Sequence, residues 1–153
     1  RASGRTGATA ESCTGGLIAE LITSVPGSSE AFAGGFVVYT NVMKRELLGL
    51  PAELLEGPGA PGAISGETAA LMAERTLERC GADYALATTG VAGPSPAEGK
   101  PPGLVYVALA ERGGRTDVHE LKLSGGRDGV RLRAAKHALY RLWERMKESM
   151  TNF

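Results

Sequence analysis

AESCTGG, residues 10–16, joins a run of small residues on its N-terminal side to a helical pattern on its C-terminal side. Residues 6–10 (TGATA) read as a short strand whose small side chains suit a central position with helices packed on both faces. After the glycine pair, Leu17, Ile18, Leu21, Ile22 and Val25 recur at helical spacing until Pro26-Gly27 ends the pattern. The stretch is therefore a strand-to-helix turn. Gly15 and Gly16 allow a tight bend that brings backbone N–H groups toward a ligand, and a helix starting there is expected to aim its partial positive end at whatever binds.

Working outward, residues 35–40 (GFVVYT) have the β-branched and aromatic character of a strand, and Asn41 after them is a preferred N-cap for a short helix over 42–48. Residues 50–63 (LPAELLEGPGAPGA) read as a surface loop, or one lying over a site, after one possible helical turn. Ser65 opens a longer helix with Ala69, Met72, Ala73, Thr76, Leu77 and Cys80 on one face, so Cys80 is expected in the core. Residues 83–88 (DYALAT) form an apolar strand running into a second glycine-bearing turn, 89–94 (TGVAGP), and two such turns at strand ends suit one crevice. Beyond a polar loop at 95–102, residues 103–110 and 116–123 read as a hairpin, and a terminal helix from about Arg127 carries Val130, Ala134, Ala138, Leu142 and Met146 in one stripe. This order predicts an α/β fold: a single layered domain over 1–153 with a mixed sheet. Residues 1–7 are expected to be irregular, or the remnant of a missing N-terminal element.

Composition narrows the function. Seventeen Lys and Arg balance seventeen Asp and Glu, which speaks against the broad basic footprint of a duplex-binding protein and makes any anion site local. Cys13 and Cys80 show no CxxC spacing, so neither a disulfide nor a metal site is expected. No apolar run approaches the length of a membrane span and no secretory leader is evident, so a cytoplasmic protein without membrane attachment is expected.

Candidate chemistry centres on Ser12. A serine needs a base and a site for developing charge, and the N–H groups of Thr14, Gly15 and Gly16 offer the second. Ser12 or Thr14 could instead simply cap the helix. Cys13 is a rival nucleophile, because a thiolate at a helix N-terminus is activated by the same dipole. His119, in a strand, and His137, in a helix, have no evident route to the turn and read as structural. Lys44 is the better base: with Asn41 as N-cap it falls at N3, where a cation opposes the helix dipole, and burial by Phe36, Val38 or Tyr39 would lower its pKa. The plain alternative is a solvated surface lysine. Tyr39 is placed to orient substrate or to pack. Arg127 and Arg131, with Arg133, suit a phosphate or carboxylate, or merely form a solvated helix face, and Thr88-Thr89-Gly90 offers further donors or only a tight turn.

Taken together, AESCTGG (10–16), GFVVYTNVMK (35–44), TTGVAGP (88–94) and SGGRDGVR (124–131) resemble the CinA C-terminal domain family, which includes the stand-alone PncC-type nicotinamide mononucleotide deamidases. The resemblance runs from about Ala8 to Trp143. It implies a three-layer α/β/α sandwich, no cofactor or metal, a homodimer, and hydrolysis of nicotinamide mononucleotide to nicotinic acid mononucleotide and ammonia in pyridine nucleotide salvage. Ser12 would be the nucleophile, Lys44 its base with Tyr39 nearby, Thr14, Gly15, Gly16, Thr89 and Gly90 would meet the substrate, and Arg127 or Arg131 would hold its phosphate. Some relatives are fused to an N-terminal domain, and relatives have a shorter turn at 56–63. A nucleotide-binding or regulatory module without chemistry is the alternative from another class.

Overall fold

The computed structural model describes residues 3–151, so Arg1 and Ala2 of the expected irregular lead lie outside the described residues. Five strands, β1 (Gly7–Glu11), β2 (Phe32–Val37), β3 (Tyr84–Gly90), β4 (Leu104–Glu111) and β5 (Thr116–Lys122), form one mixed sheet in the order β2-β1-β3-β4-β5. β1 runs parallel to both β2 and β3, whereas β3–β4 and β4–β5 are antiparallel. The helices are α1 (Leu17–Thr23), α2 (Asn41–Leu48), α3 (Ala52–Leu55), α4 (Gly66–Cys80) and α5 (Gly126–Thr151).

The two sheet faces carry separate cores, which makes the domain three-layered. Met72, Ala69 and Ala73 of α4 with Leu48 of α2 pack on Ala10, Ala87 and Ala108. Ile18 of α1 and Val130, Ala134 and Ala138 of α5 pack on Leu86, Val107 and Leu109. Alternation along β3 sends Leu86 to one layer and Ala87 to the other. β1 lies inside the sheet between β2 and β3, which explains how its small residues serve as a strand: Ala8 and Ala10 are buried on one face and Thr9 on the other. Arg5 and Thr6, ahead of β1, are tied to the sheet, because Thr6 O accepts from the N–H groups of Asp83 (2.9 Å) and Tyr84 (3.0 Å).

Three local expectations shift. β2 starts at Phe32 and ends at Val37, not over 35–40, because its ladder with β1 closes at Glu11↔Val37 and a strand continues only beside a partner. The β-branched and aromatic 38–40 segment instead runs past the sheet edge. Thr40, not Asn41, caps α2: its Oγ1 accepts from Met43 N–H at 3.2 Å, which places Lys44 at N4. Cys80, the last residue of α4, is half-buried, not a core residue.

Candidate active site

The chain leaves the C-terminal ends of the parallel neighbours β1 and β3 toward opposite sides, since β1 connects toward β2 and β3 toward β4. A crevice opens at such a point. Here it is a cavity of about 450 Å³ whose lining includes Ser12, Cys13, Tyr39, Lys44, Thr89, Gly90, Glu98 and Arg127. The two glycine-bearing turns expected to share a crevice do share it.

Ser12 sits where β1 ends, its N–H held by Thr88 O at 3.0 Å. Lys44, thirty-two positions further along the chain, reaches back from α2 and puts Nζ 3.0 Å from Ser12 Oγ. The same nitrogen donates to Val38 O at 3.0 Å and Tyr39 O at 3.4 Å. Those carbonyls belong to the segment that left the sheet. Two carbonyl acceptors account for both N–H bonds of a neutral amine and turn its lone pair toward Ser12. Lys44 is 2% exposed, and this burial pushes its pKa down from the ordinary 10.5, while Cys13 and Glu98 act in the opposite sense. The surface-lysine alternative is therefore excluded by burial. The helix-dipole reason for singling Lys44 out also falls, because at N4 its own N–H already bonds Thr40 O.

Cys13 lines the same cavity, yet burial pushes its thiol up to about 12, so it stays protonated at neutral pH. His119 and His137 face each other with ring centroids 5.7 Å apart between β5 and α5, and neither lines the cavity.

The turn itself is held from behind. Glu11, 1% exposed and unremarked in the sequence reading, accepts from Thr14 Oγ1 (2.6 Å), Ile18 N–H (2.8 Å) and Ala19 N–H (3.1 Å). Leu17 N–H bonds Thr14 O, so three of the four donors at the start of α1, those of Leu17, Ile18 and Ala19, are committed inside the protein. A buried carboxylate thus accepts from the start of this helix. Thr14 Oγ1 also pairs with Thr88 Oγ1 at 2.7 Å, and Gly15 N–H bonds Ser12 O at 3.0 Å. Arg131 donates to Cys13 O (3.2 Å) and Thr14 O (3.1 Å). Thr14, Gly15, Gly16 and Arg131, expected to touch substrate, lie outside the cavity lining and build the turn instead. Gly15 and Gly16 have φ of 59° and 103°, left-handed values that the bend requires. The signal that could have found Glu11 was an acidic residue at the end of a buried strand, just before a helix start.

Glu11→Gln keeps the shape but offers one acceptor oxygen to donors that now use two. It is expected to cost about 2 kcal/mol, because charge-assisted bonds to buried donors are lost. A lower urea midpoint with unchanged slope would record this, and an unchanged midpoint would show that α1 does not depend on the carboxylate.

The other side of the cavity is assembled from loops. Arg127 donates to Gly93 O (2.6 Å) and to Tyr39 Oη (3.0 Å), linking the second glycine turn to the segment after β2 from the start of α5. Thr89 Oγ1 donates to Ala63 O at 2.7 Å, tying the 56–63 loop to β3. Glu98, also missed in the sequence, accepts from Ala63 N–H and Ile64 N–H, each at 3.1 Å.

Fold and site together define an α/β domain with a buried lysine-paired serine in a strand-end crevice. The chain belongs to the CinA C-terminal domain family, whose model matches residues 1–146. The putative competence-damage inducible protein of Geobacillus kaustophilus is 50% identical over 141 residues, which are 92% of this chain and 33% of that protein. That of Symbiobacterium thermophilum is 52% identical over 145 residues, 89% of this chain and 33% of that protein. The chain thus spans about one third of the length of these curated relatives. Among solved structures, the competence damage-inducible protein A (ComA) from Klebsiella pneumoniae superposes with a TM-score of 0.90 at 33% identity, over 95% of this chain and 89% of that one. The competence/damage inducible protein CihA from Agrobacterium tumefaciens gives 0.87 at 43% identity, over 94% and 86%. Among the described residues no helix is long and apolar enough to cross a membrane, and no group of His, Cys, Asp and Glu is arranged to hold a metal ion.

Proposed function

We propose that this domain is a serine amidohydrolase that converts nicotinamide mononucleotide to nicotinic acid mononucleotide and ammonia. The observation that carries the reading is the 3.0 Å approach of a buried lysine nitrogen to Ser12 Oγ inside a cavity. A lysine whose ammonium form is disfavoured is a competent general base, and few structural roles call for one against a lone serine.

In the proposed reaction Ser12 Oγ attacks the carboxamide carbon as its proton passes to Lys44 Nζ. The C–N bond breaks, the nitrogen takes that proton from Lys44 and leaves as ammonia, and an ester to Ser12 stays behind. Water then attacks the ester carbon, Lys44 again takes the proton, and its return to Ser12 Oγ releases the carboxylate. Both halves use one base in one place, consistent with the carbonyls of Val38 and Tyr39 fixing Nζ. The N–H groups of Leu17, Ile18 and Ala19 are not free to hold the tetrahedral oxyanion, because Glu11 and Thr14 O take them. Arg127, at the mouth beside Tyr39, supplies the cation for the 5′-phosphate.

Incubation of the protein with nicotinamide mononucleotide is expected to release ammonia and the acid nucleotide in equal amounts. Absence of both products would overturn the reading. No resident cofactor enters the scheme, and the homodimer implied by the resemblance and the cytoplasmic setting expected from the sequence belong to the same proposal.

A further inference from the structure

Resting on that reading, we propose that Glu98 is a specificity residue whose carboxylate selects a carboxamide carried on a positively charged pyridinium ring over the same amide on an uncharged ring.

Three Lys, Arg or Glu side chains line the cavity among the described residues: the buried Lys44 on its floor, the exposed Arg127 at its mouth, and Glu98 on the wall that includes Ala63 and Ile64. The substrate proposed above bears a phosphate, which Arg127 answers, and a ring cation bonded directly to the reacting carboxamide. Arg127, a cation throughout, would repel that ring. The repulsion grows when Lys44 takes the proton of Ser12, because an ammonium then stands next to a pyridinium. Glu98 is the single lining carboxylate, and its negative charge offsets both.

Its placement is fixed. Both carboxylate oxygens accept backbone N–H groups, Oε1 from Ala63 and Oε2 from Ile64, and those two residues line the same wall. Glu98 has φ 51°, a left-handed conformation that costs a non-glycine residue on the order of 1 kcal/mol and is rarely kept without a reason. Lys100, outside the cavity lining, forms an ion pair with Glu98, its Nζ 3.6 Å from Oε2. It also donates to Pro61 O and Ile64 O in an adjoining hollow that Glu98 lines as well, so Glu98 stands between that cation and the cavity. The field of Glu98 reaches the floor, where it favours the ammonium form of Lys44 against the larger opposing effect of burial.

The test compares nicotinamide mononucleotide with its dihydro form, which keeps the amide and the phosphate and has an uncharged ring. In Ser12→Ala protein, where no turnover interferes, calorimetry is expected to show the charged form binding about five- to tenfold more tightly. Adding Glu98→Gln is expected to erase that preference while changing the dihydro Kd less than about twofold. Equal weakening of both forms would show that Glu98 only braces the wall, and the proposal would fall. It would fall equally if the Ser12→Ala protein did not distinguish the two forms, a measurement that requires no change at Glu98. The underlying reading is judged separately: ammonia release from the charged form without any ring preference overturns the role of Glu98 alone, and ring preference without ammonia release overturns the amidase alone.

Discussion

Ser12→Ala is expected to lower kcat for ammonia release by about 10⁴-fold or more, while the nucleotide still binds within a few-fold of its original affinity. The alanine removes the atom that forms the bond and little else. Ser12 N–H still bonds Thr88 O, and the turn is held by Glu11, Thr14 and Arg131, none of which uses the hydroxyl. Single-turnover assays with calorimetry separate the two quantities. Cys13→Ala is the matched control and is expected to keep activity within about threefold, because a thiol held near 12 supplies no thiolate at neutral pH. Full activity in the Ser12 variant, or loss only in the Cys13 variant, would reassign the nucleophile. Binding without turnover in the unaltered protein would instead favour a ligand-binding module.

The second large effect is at Lys44. Lys44→Met fills most of the same volume and is expected to reduce kcat by at least about 10³-fold, since a serine without a base loses most of its advantage. Stability moves in a way that a surface lysine would not produce. The pKa of Lys44 in the folded protein lies below the 10.5 of the free side chain, so between those two values the unfolded chain holds more protons than the folded one. Stability of the parent therefore rises with pH across that window, levels off above 10.5, and is fully reduced below the folded pKa. The methionine variant lacks this slope. Urea midpoints of both proteins, measured from neutral pH to about 10, are expected to shift steadily in favour of the parent as pH rises. A constant difference would mean that Lys44 folds into the site without giving up proton affinity. The same group shapes activity: kcat/KM is expected to climb with pH along an acidic limb centred below 10.5, and the limb should be absent from the residual activity of the variant.

Much of the fold was legible because its signals are local. The helical stripe from Ala69 to Thr76, the apolar run of β3 and the hairpin of β4 and β5 each report burial through spacing, and spacing survives in the linear chain. The boundaries of β2 were not legible, because a strand ends where its partner ends. The register of β1 decides that, not the β-propensity of Val38, Tyr39 and Thr40.

The sequence by itself determined that a serine stands at a strand-to-helix turn, that a second glycine turn could meet it, and that Lys44 was the cation worth attention. It reached Lys44 partly through a cap position that the chain does not use. Tertiary structure decided what surrounds these residues. Parallel pairing of β1 with β2 carries Lys44 across thirty-two positions to Ser12, and Arg131 crosses from α5 to fasten the carbonyls of the turn. Glu11 takes the N–H groups of Ile18 and Ala19 and the hydroxyl of Thr14 at the start of α1, while Ser12 presents its hydroxyl to Lys44. The physical reason is that spacing shows which groups are available, whereas every donor and charge has finite capacity. Only the assembled fold determines which of them are already taken.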